Sequence, residues 1–343
     1  MAIGLPTASG TARLVANCVL AAGFSGCTGR PVVAGAVDGT DGDGGYRDGW
    51  EVEWVGTANL RAVSGVGSDV YVVGEAGTIL HHDAAGWAAM ESGTEAALTD
   101  VWAVESDLVI TVGYTWPLRW NGRSWSPIPS PEWAGFEALW GASTGEVFAT
   151  GTTGESGGVQ SQLWVWSETE WKLLATVDGT WCVDLWGNSP SDIYAACWTW
   201  GKHGSPISFP LAHYDGERLL PVLIEGQECS GGRVWSAGPK TLYLLGCPGL
   251  MRREDGQWRE LEEVNALLAQ REMGGILGLG GAGPNDVYAV GSRGLFLHFD
   301  GEEWSVVGPL VDVDLNAVWV GPDGAVVVVG NGGAILRRPA AGG

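Results

Sequence analysis

An apolar residue, two variable positions, an aliphatic residue and then usually Trp: this phrase returns seven times along a chain of 343 residues. Strong copies are "LTDVW" (98–102), "FEALW" (136–140), "CVDLW" (182–186) and "LNAVW" (315–319), and weaker ones are "LRAVS" (60–64), "GGRVW" (231–235) and "GGILG" (274–278). Their fifth positions fall at 64, 102, 140, 186, 235, 278 and 319, separated by 38, 38, 46, 49, 43 and 41 residues. A period of about forty residues is the length of a four-stranded propeller blade. A unit that short cannot bury its own apolar face, so the chain must stack the units on one another.

The internal layout of a unit agrees. In the sixth, "GGILGLG" reads as a first strand, and "DVYAVG" (286–291) alternates as a second. After a turn at "SR" and Gly294, "LFLHFD" (295–300) is a third strand, and "EEWSVV" (302–307) is the fourth. Asp300-Gly301 suits the hairpin between them, because Gly tolerates positive φ and Asp bonds its local backbone. "SDVY" (68–71), "SDIY" (191–194) and "NDVY" (285–288) repeat the start of strand two, with the Asp expected to cap the preceding turn. The last unit (315–339) stops after its third strand, and "DGWEVEWVG" (48–56) supplies a spare strand ahead of the first. Docking that strand on the last blade closes the ring and leaves no open edge. The chain is therefore expected to be all-β, a seven-bladed β-propeller closed by its N-terminal strand.

Composition narrows what such a ring meets. Hydrophobic residues make up 45%, enough for a packed core, and the net charge of −22 disfavours nucleic acid and anionic headgroups. No run approaches the ~18 apolar residues of a spanning helix. Ahead of the ring, Arg13 precedes the apolar stretch 14–26, which ends in "FSGC" (24–27), the layout of an export leader. Residues 28–49 are rich in turn formers without apolar periodicity, the composition of a tether. The "DGTDGDGG" within it lacks the distal Glu of a calcium loop and reads as spacer.

Two resemblances follow from these residues. "FSGC" resembles a bacterial lipobox, which implies cleavage before Cys27 and lipidation of its thiol. The repeat is similar to those of BNR/Asp-box and photosystem-II-assembly-type propellers, especially the repeat proteins numerous in myxobacteria, over about residues 48–339. That implies architecture rather than activity. An Asp-box spaces Asp and Trp five residues apart, whereas Asp300 and Trp304 are four apart, and the arginine triad of sialidases is missing from corresponding blade positions. The implied organisation is a signal peptide over 1–26, lipidated Cys27 and tether over 27–47, one propeller over 48–339 and a tail over 340–343.

Candidate chemistry is sparse. His81, His213 and His298 recur at one blade position, which favours packing or a shared inter-blade hydrogen bond over a metal, and HxH, HExxH and CxxC spacings are absent. No metal or other cofactor is expected. Cys182 and Cys197 are equidistant from a hairpin centre at 189.5, and Cys229 and Cys247 from 238, beside the corresponding centre at 238.5. In an oxidising compartment these are expected to form two disulfides, 182–197 and 229–247.

Most Trp residues repeat by position and read as core, but Trp116, Trp133, Trp198 and Trp200 do not. "YTWP" (114–117), "TTGESGGVQSQ" (152–162) and "WTWGKHGSPISFP" (198–210) read as strand two–three loops. "SPEWAG" (130–135) and a helical 260–275, with Leu261, Val264, Leu267 and Leu268 on its buried stripe, read as blade-to-blade links. All five open on one face, and variation over a rigid scaffold marks a binding face. Trp116, Trp133, Trp198, Trp200, Lys202 and His203 are the ligand-binding candidates, and no residue is assigned a catalytic role.

The expected function is that of an exported, lipid-anchored, non-catalytic propeller. It would be a monomer in the bacterial cell envelope, at the outer membrane or cell surface, touching membrane only through its lipid. Its elaborated face would bind an envelope protein or glycan. The alternative is a carbohydrate-active propeller, a lectin or a sialidase-like glycoside hydrolase, which would need facing carboxylates such as Glu137 and Glu155 beside Trp198.

Overall fold

The computed structural model describes residues 49–130, 135–155, 158–167, 169–199, 211–224, 232–246, 249–270 and 275–340. Among them, 28 strands form seven four-stranded antiparallel sheets, each the blade of a propeller. Blades 1 to 6 take their strands in chain order from Leu60–Val66 through Trp304–Val306. Blade 7 combines Leu315–Val320, Val326–Gly330 and Ala334–Arg338 with the N-terminal strand Glu51–Trp54, which pairs Val52 with Leu336. The ring therefore closes with the first described strand outermost on the last blade. Trp50, 2% exposed, seals that seam against Phe296, with the Arg338 guanidinium over its indole.

The repeated Trp holds neighbouring blades together. Trp102, Trp140, Trp235 and Trp319 each lie over a glycine of an adjacent inner strand: Gly141, Gly187, Gly281 and Gly65. A Cβ on any of these glycines would strike the indole, so large and small residues are matched between blades. Truncating an indole buried this way costs about 3–5 kcal/mol.

A second device joins blades 1, 4 and 6 to their successors. His81, His213 and His298 donate from Nε2 to Asp69, Asp192 and Asp286 at 2.8, 2.7 and 2.7 Å. Each imidazole stacks on a Tyr at 4.3–4.6 Å, namely Tyr71, Tyr194 and Tyr288. The Tyr hydroxyls then reach the next blade, at Ser106 O, Arg253 and Arg338. Desolvation pushes the Tyr71 and Tyr288 phenols up to about 12. The histidines are thus structural, but their own hydrogen bond lies within the blade and the Tyr makes the crossing. Asp69 and Asp286 serve the His rather than the preceding turn, whereas Asp192 serves both, accepting from Asn188 of that turn at 2.9 Å.

Three further expectations are corrected. The inner strand of blade 6 runs Ile276–Gly283, and Gly280 pairs Tyr288 as Trp102 pairs Ile110. The repeat there is "ILGLG" (276–280), two residues later than "GGILG", because blade register follows pairing with strand two. In blade 3, 152–162 is not a loop: strands Val147–Glu155 and Gly158–Ser167 continue pairing out to Glu155 and Gly158. Trp116 belongs to strand Thr115–Trp120, because Gly113 already pairs with Thr115. The expected helix is present as Glu262–Gln270, with Leu261 and Val264 buried and Leu267 and Leu268 packed on the same core. The short hairpins form as read: Asp300 Oδ1 accepts from the Glu302 and Glu303 amides, and Asp215 Oδ1 from those of Glu217 and Arg218.

Candidate functional site

Six of the seven inner strands, all but that of blade 5, open with a bulge, which decides what the ring shows at its elaborated face. Register shifts between Leu60 and Ala62, Leu98 and Asp100, Phe136 and Ala138, Cys182 and Asp184, Ile276 and Gly278, and Leu315 and Ala317 leave one residue per blade unpaired. Those residues, Arg61, Thr99, Glu137, Val183, Leu277 and Asn316, all line a funnel of about 400 Å³ at the mouth of the central channel. The bulge also brings the end of strand two onto the start of strand one. At Gly74, Gly113, Gly291 and Gly330 a Cβ would collide with the carbonyl of Asn59, Ala97, Gly275 or Asp314. Hence the recurrent Val-Gly that ends strand two.

Blade 4 alone puts Cys in both of these columns. Cys182 and Cys197 pair across inner strands Thr180–Ser189 and Asp192–Thr199 and form the disulfide expected from their symmetry about the hairpin. One residue further out, Trp181 pairs with Trp198. Their indoles are 38% and 50% exposed, unlike the buried repeating Trp. Together with Val183, Gly232, Leu245, Ile276 and Leu277 they wall an apolar cleft of about 630 Å³ beside the funnel. Blades 3 and 4 stand tall behind it, tied where the Ser161 hydroxyl donates to Thr180 O and accepts from the Cys182 amide, both at 2.8 Å.

The funnel itself is polar. Glu75 accepts from Arg61 at 2.9 Å and from Asn59 at 3.0 Å, while Trp181 Nε1 donates to Glu137 at 3.3 Å. Burial pushes the Glu137 carboxyl upward, partly opposed by that indole donor. Deeper in, Asp100 and Asp184 latch neighbouring blades by accepting from the backbone amides of Leu139 (2.7 Å) and Val234 (2.8 Å). Both keep some surface toward the narrow lumen, but enclosure by protein dominates and pushes their pKa values up, that of Asp100 to about 7. Arg233 opposes the rise at both carboxyls. Its Nε donates to Leu277 O at 2.8 Å, fixing the guanidinium between lumen, funnel and cleft, all three of which it lines.

Of the residues singled out in the sequence, Trp198 lies in the cleft, while Trp116, 54% exposed, stands on blade 2 outside both cleft and funnel. Trp133, Trp200, Lys202, His203, Cys27, Cys229 and Cys247 lie outside the described residues. Glu137 reaches the funnel, whereas the backbone at Glu155 lies at the far end of strand Val147–Glu155. Phe136 pairs with Gly151, and four further residues at about 3.3 Å each carry the strand ~13 Å beyond that pair. Among the described residues no group of three His, Cys, Asp or Glu side chains is placed to hold a metal. Trp181 and Arg233 escaped the sequence reading, yet both break their repeat columns. Trp181 stands where other blades have Asn59, Ala97, Gly135, Gly275 and Asp314, and Arg233 where they have Ala62, Asp100, Ala138, Asp184, Gly278 and Ala317.

No family model matches the chain, and no curated protein matches it. Solved structures do. YCF48 bound to D1 peptide superposes with a TM-score of 0.64 at 18% identity, covering 86% of this chain and 98% of that one. YCF48 from Cyanidioschyzon merolae gives 0.60 at 14%, covering 84% and 98%. The WD40 β-propeller domain of Doa1 gives 0.57 at 13%, covering 84% and 95%. At such identities the likeness shows a seven-bladed propeller fold.

Proposed function

We propose that this chain is a non-catalytic propeller that binds a protein partner by taking an extended polypeptide segment across the funnel mouth. The observation that carries the reading is the apolar cleft walled by Trp181 and Trp198, opening beside a polar funnel on the one elaborated rim. A deep apolar pocket next to a few fixed polar groups suits an anchored side chain with its flanking backbone. Asn59, Thr99 and Asn316 spend their donors within the ring, on Glu75, Glu137 O and Leu60 O, and their side-chain oxygens line the funnel as acceptors for the backbone amides of such a segment. The YCF48 structure carries a D1 peptide, which lends support by analogy of fold. Catalysis by paired carboxylates finds less support, because Glu75 is engaged by Arg61 and Asn59 and Glu137 by the Trp181 indole.

Selection of a random peptide library on the immobilised full chain tests this reading. Peptides should enrich on the wild type and lose about 30-fold in affinity on Trp198→Ala, the ~2 kcal/mol of an anchor residue. Enrichment indifferent to both Trp181→Ala and Trp198→Ala would remove the cleft from the binding site. A glycan ligand is the second reading, favoured by two exposed indoles on which sugar rings stack; a glycan array on the same variants separates the two.

Export and lipid anchoring through Cys27 belong to the same proposal. The apolar leader ending in "FSGC" supports them, and so does a disulfide, a bond that persists in oxidising compartments. Such an anchor would hold the ring at the envelope surface by the tether 28–47. Cys27→Ser should move the protein from the membrane to the soluble fraction, and unchanged fractionation would overturn the anchor.

A further inference from the structure

Arg233 is out of character for its place in the ring. Its column holds Ala, Asp or Gly in the other six blades, and it stands where three cavities meet. Its Nε is committed to Leu277 O, which leaves the outer edge of the guanidinium fork at a fixed position and angle. The nearby carboxylates are aimed elsewhere. Asp100 points both oxygens at the Val101 and Leu139 amides, and Asp184 accepts from Val234. Among the described residues, none of the ion pairs within 4 Å involves Arg233, whereas Arg61, the other funnel cation, is bound to Glu75. Burial also pushes Asp100 and Asp184 toward their neutral forms, so they cancel less of its charge.

The other side of Arg233 is apolar. Trp181, Trp198, Leu245, Ile276 and Leu277 surround it in the cleft. In such a low-dielectric wall a planar, fixed cation favours a carboxylate bound through two parallel hydrogen bonds. On a chain with a net charge of −22, a local positive centre also selects. Anionic surfaces at large are repelled, and only a carboxylate presented together with an apolar anchor gains enough to dock.

Building on the peptide-binding reading above, we propose that Arg233 is the specificity-determining residue of the funnel, and that the segment recognised carries a carboxylate beside a large apolar side chain. The apolar side chain fills the cleft against Trp198 while the carboxylate meets the Arg233 fork. A chain-terminal carboxylate and an Asp or Glu side chain share this chemistry.

Two synthetic pools with four randomised positions, one ending in a free carboxylate and one in a carboxamide, applied to the full chain, test it. Retained peptides should be enriched in an acid next to Phe, Leu or Trp. Preference for the free-acid pool identifies a terminal carboxylate, and Asp or Glu enrichment in the carboxamide pool a side chain. Arg233→Met should weaken acidic peptides at least tenfold and abolish the acid preference while keeping the apolar one. Arg233→Lys should recover part of it, since it restores the charge without the fork. Because Asp184 loses a counter-charge in Arg233→Met, the pair Arg233→Met with Asp184→Asn is measured alongside, with circular dichroism to show that both fold; the acid preference should be absent from both. Retained peptides without excess acid, or an acid preference that survives Arg233→Met, would overturn the assignment and leave Arg233 as counter-ion to the channel carboxyls. Those outcomes leave the peptide reading intact provided Trp198→Ala still releases the peptides. A wild type that retains no peptide overturns both.

Discussion

In blade 6 the inner strand begins Gly275-Ile276 and the second strand ends Gly291-Ser292; blade 4 has Trp181-Cys182 and Cys197-Trp198 at the corresponding places. Lower in the same two blades one network is unchanged. Asp286, Tyr288 and His298 form the same network as Asp192, Tyr194 and His213, to within a tenth of an ångström in the stacking distance. Scaffold and rim are thus written by different columns of one repeat, and the outermost columns, which hold the exposed Trp181 and Trp198 in blade 4, are the ones free to diverge. The comparison teaches that residue type alone says little in this chain. Trp50 and Trp198 are both Trp, one 2% and the other 50% exposed.

Replacing each of those two by Ala gives the widest separation. Trp50→Ala empties the closing seam and should cost about 3–5 kcal/mol, read as a lowered midpoint in chemical denaturation. Trp198→Ala should leave the midpoint within about 0.5 kcal/mol while weakening peptide binding. Equal loss of stability in the two would erase the distinction between seam and rim.

Next comes the Cys182–Cys197 disulfide of blade 4. Its loop of 15 residues is worth about 3 kcal/mol by loop-closure entropy, so Cys182→Ala with Cys197→Ala should lower stability by that order. Binding should fall as well, since the bond sits directly beneath the Trp181–Trp198 pair. A double variant with wild-type peptide affinity would show that the rim holds its shape without the staple.

The channel carboxyls predict a dependence on pH. Asp100 holds its proton more tightly when folded, about 7 against an ordinary 3.8, so the folded state is favoured most in acid. That contribution is lost as pH rises from about 4 through 7, by up to a few kcal/mol at ~1.4 kcal/mol per pH unit. Asp184 and Arg233 face it and modulate the loss. Asp100→Asn should flatten the stability profile across that window, and an unchanged profile would assign the dependence to Asp184.

The smallest expected effect sharpens the comparison from the scaffold side. His298→Ala and His213→Ala each remove one partly buried hydrogen bond and should cost about 1–2 kcal/mol apiece. Peptide affinity should stay unchanged in both. A loss of binding in His213→Ala alone would mean that the scaffold of blade 4 reaches its rim.

Much of the ring was legible because its signals are short-range. Asp300-Gly301 needs only its own backbone to turn, and the short apolar run "DVYAVG", buried on both faces, is a strand signal within its own residues. The spare strand at 48–56 was visible by subtraction from an incomplete last unit, and Cys182 and Cys197 by symmetry about a hairpin. Where the reading slipped, at 274–278 in blade 6 and at 152–162 in blade 3, the deciding partner lay on another strand. Glycine-rich or polar segments carry no pattern that fixes register alone.

The sequence by itself determined the blade, its count and its closure, since hydrophobic period and turn chemistry repeat within each forty-residue unit. It also marked Trp198 as a break in the repeat, whereas the columns of Trp181 and Arg233 became exceptional only when strand pairing aligned them. Only the tertiary structure decided that these three meet. Trp198 and Arg233 are 35 positions apart in the chain, and Leu277 lies 44 beyond Arg233. A ring of stacked blades turns such intervals into neighbours at the channel mouth, and the bulges that head six of the inner strands turn one residue apiece toward the funnel.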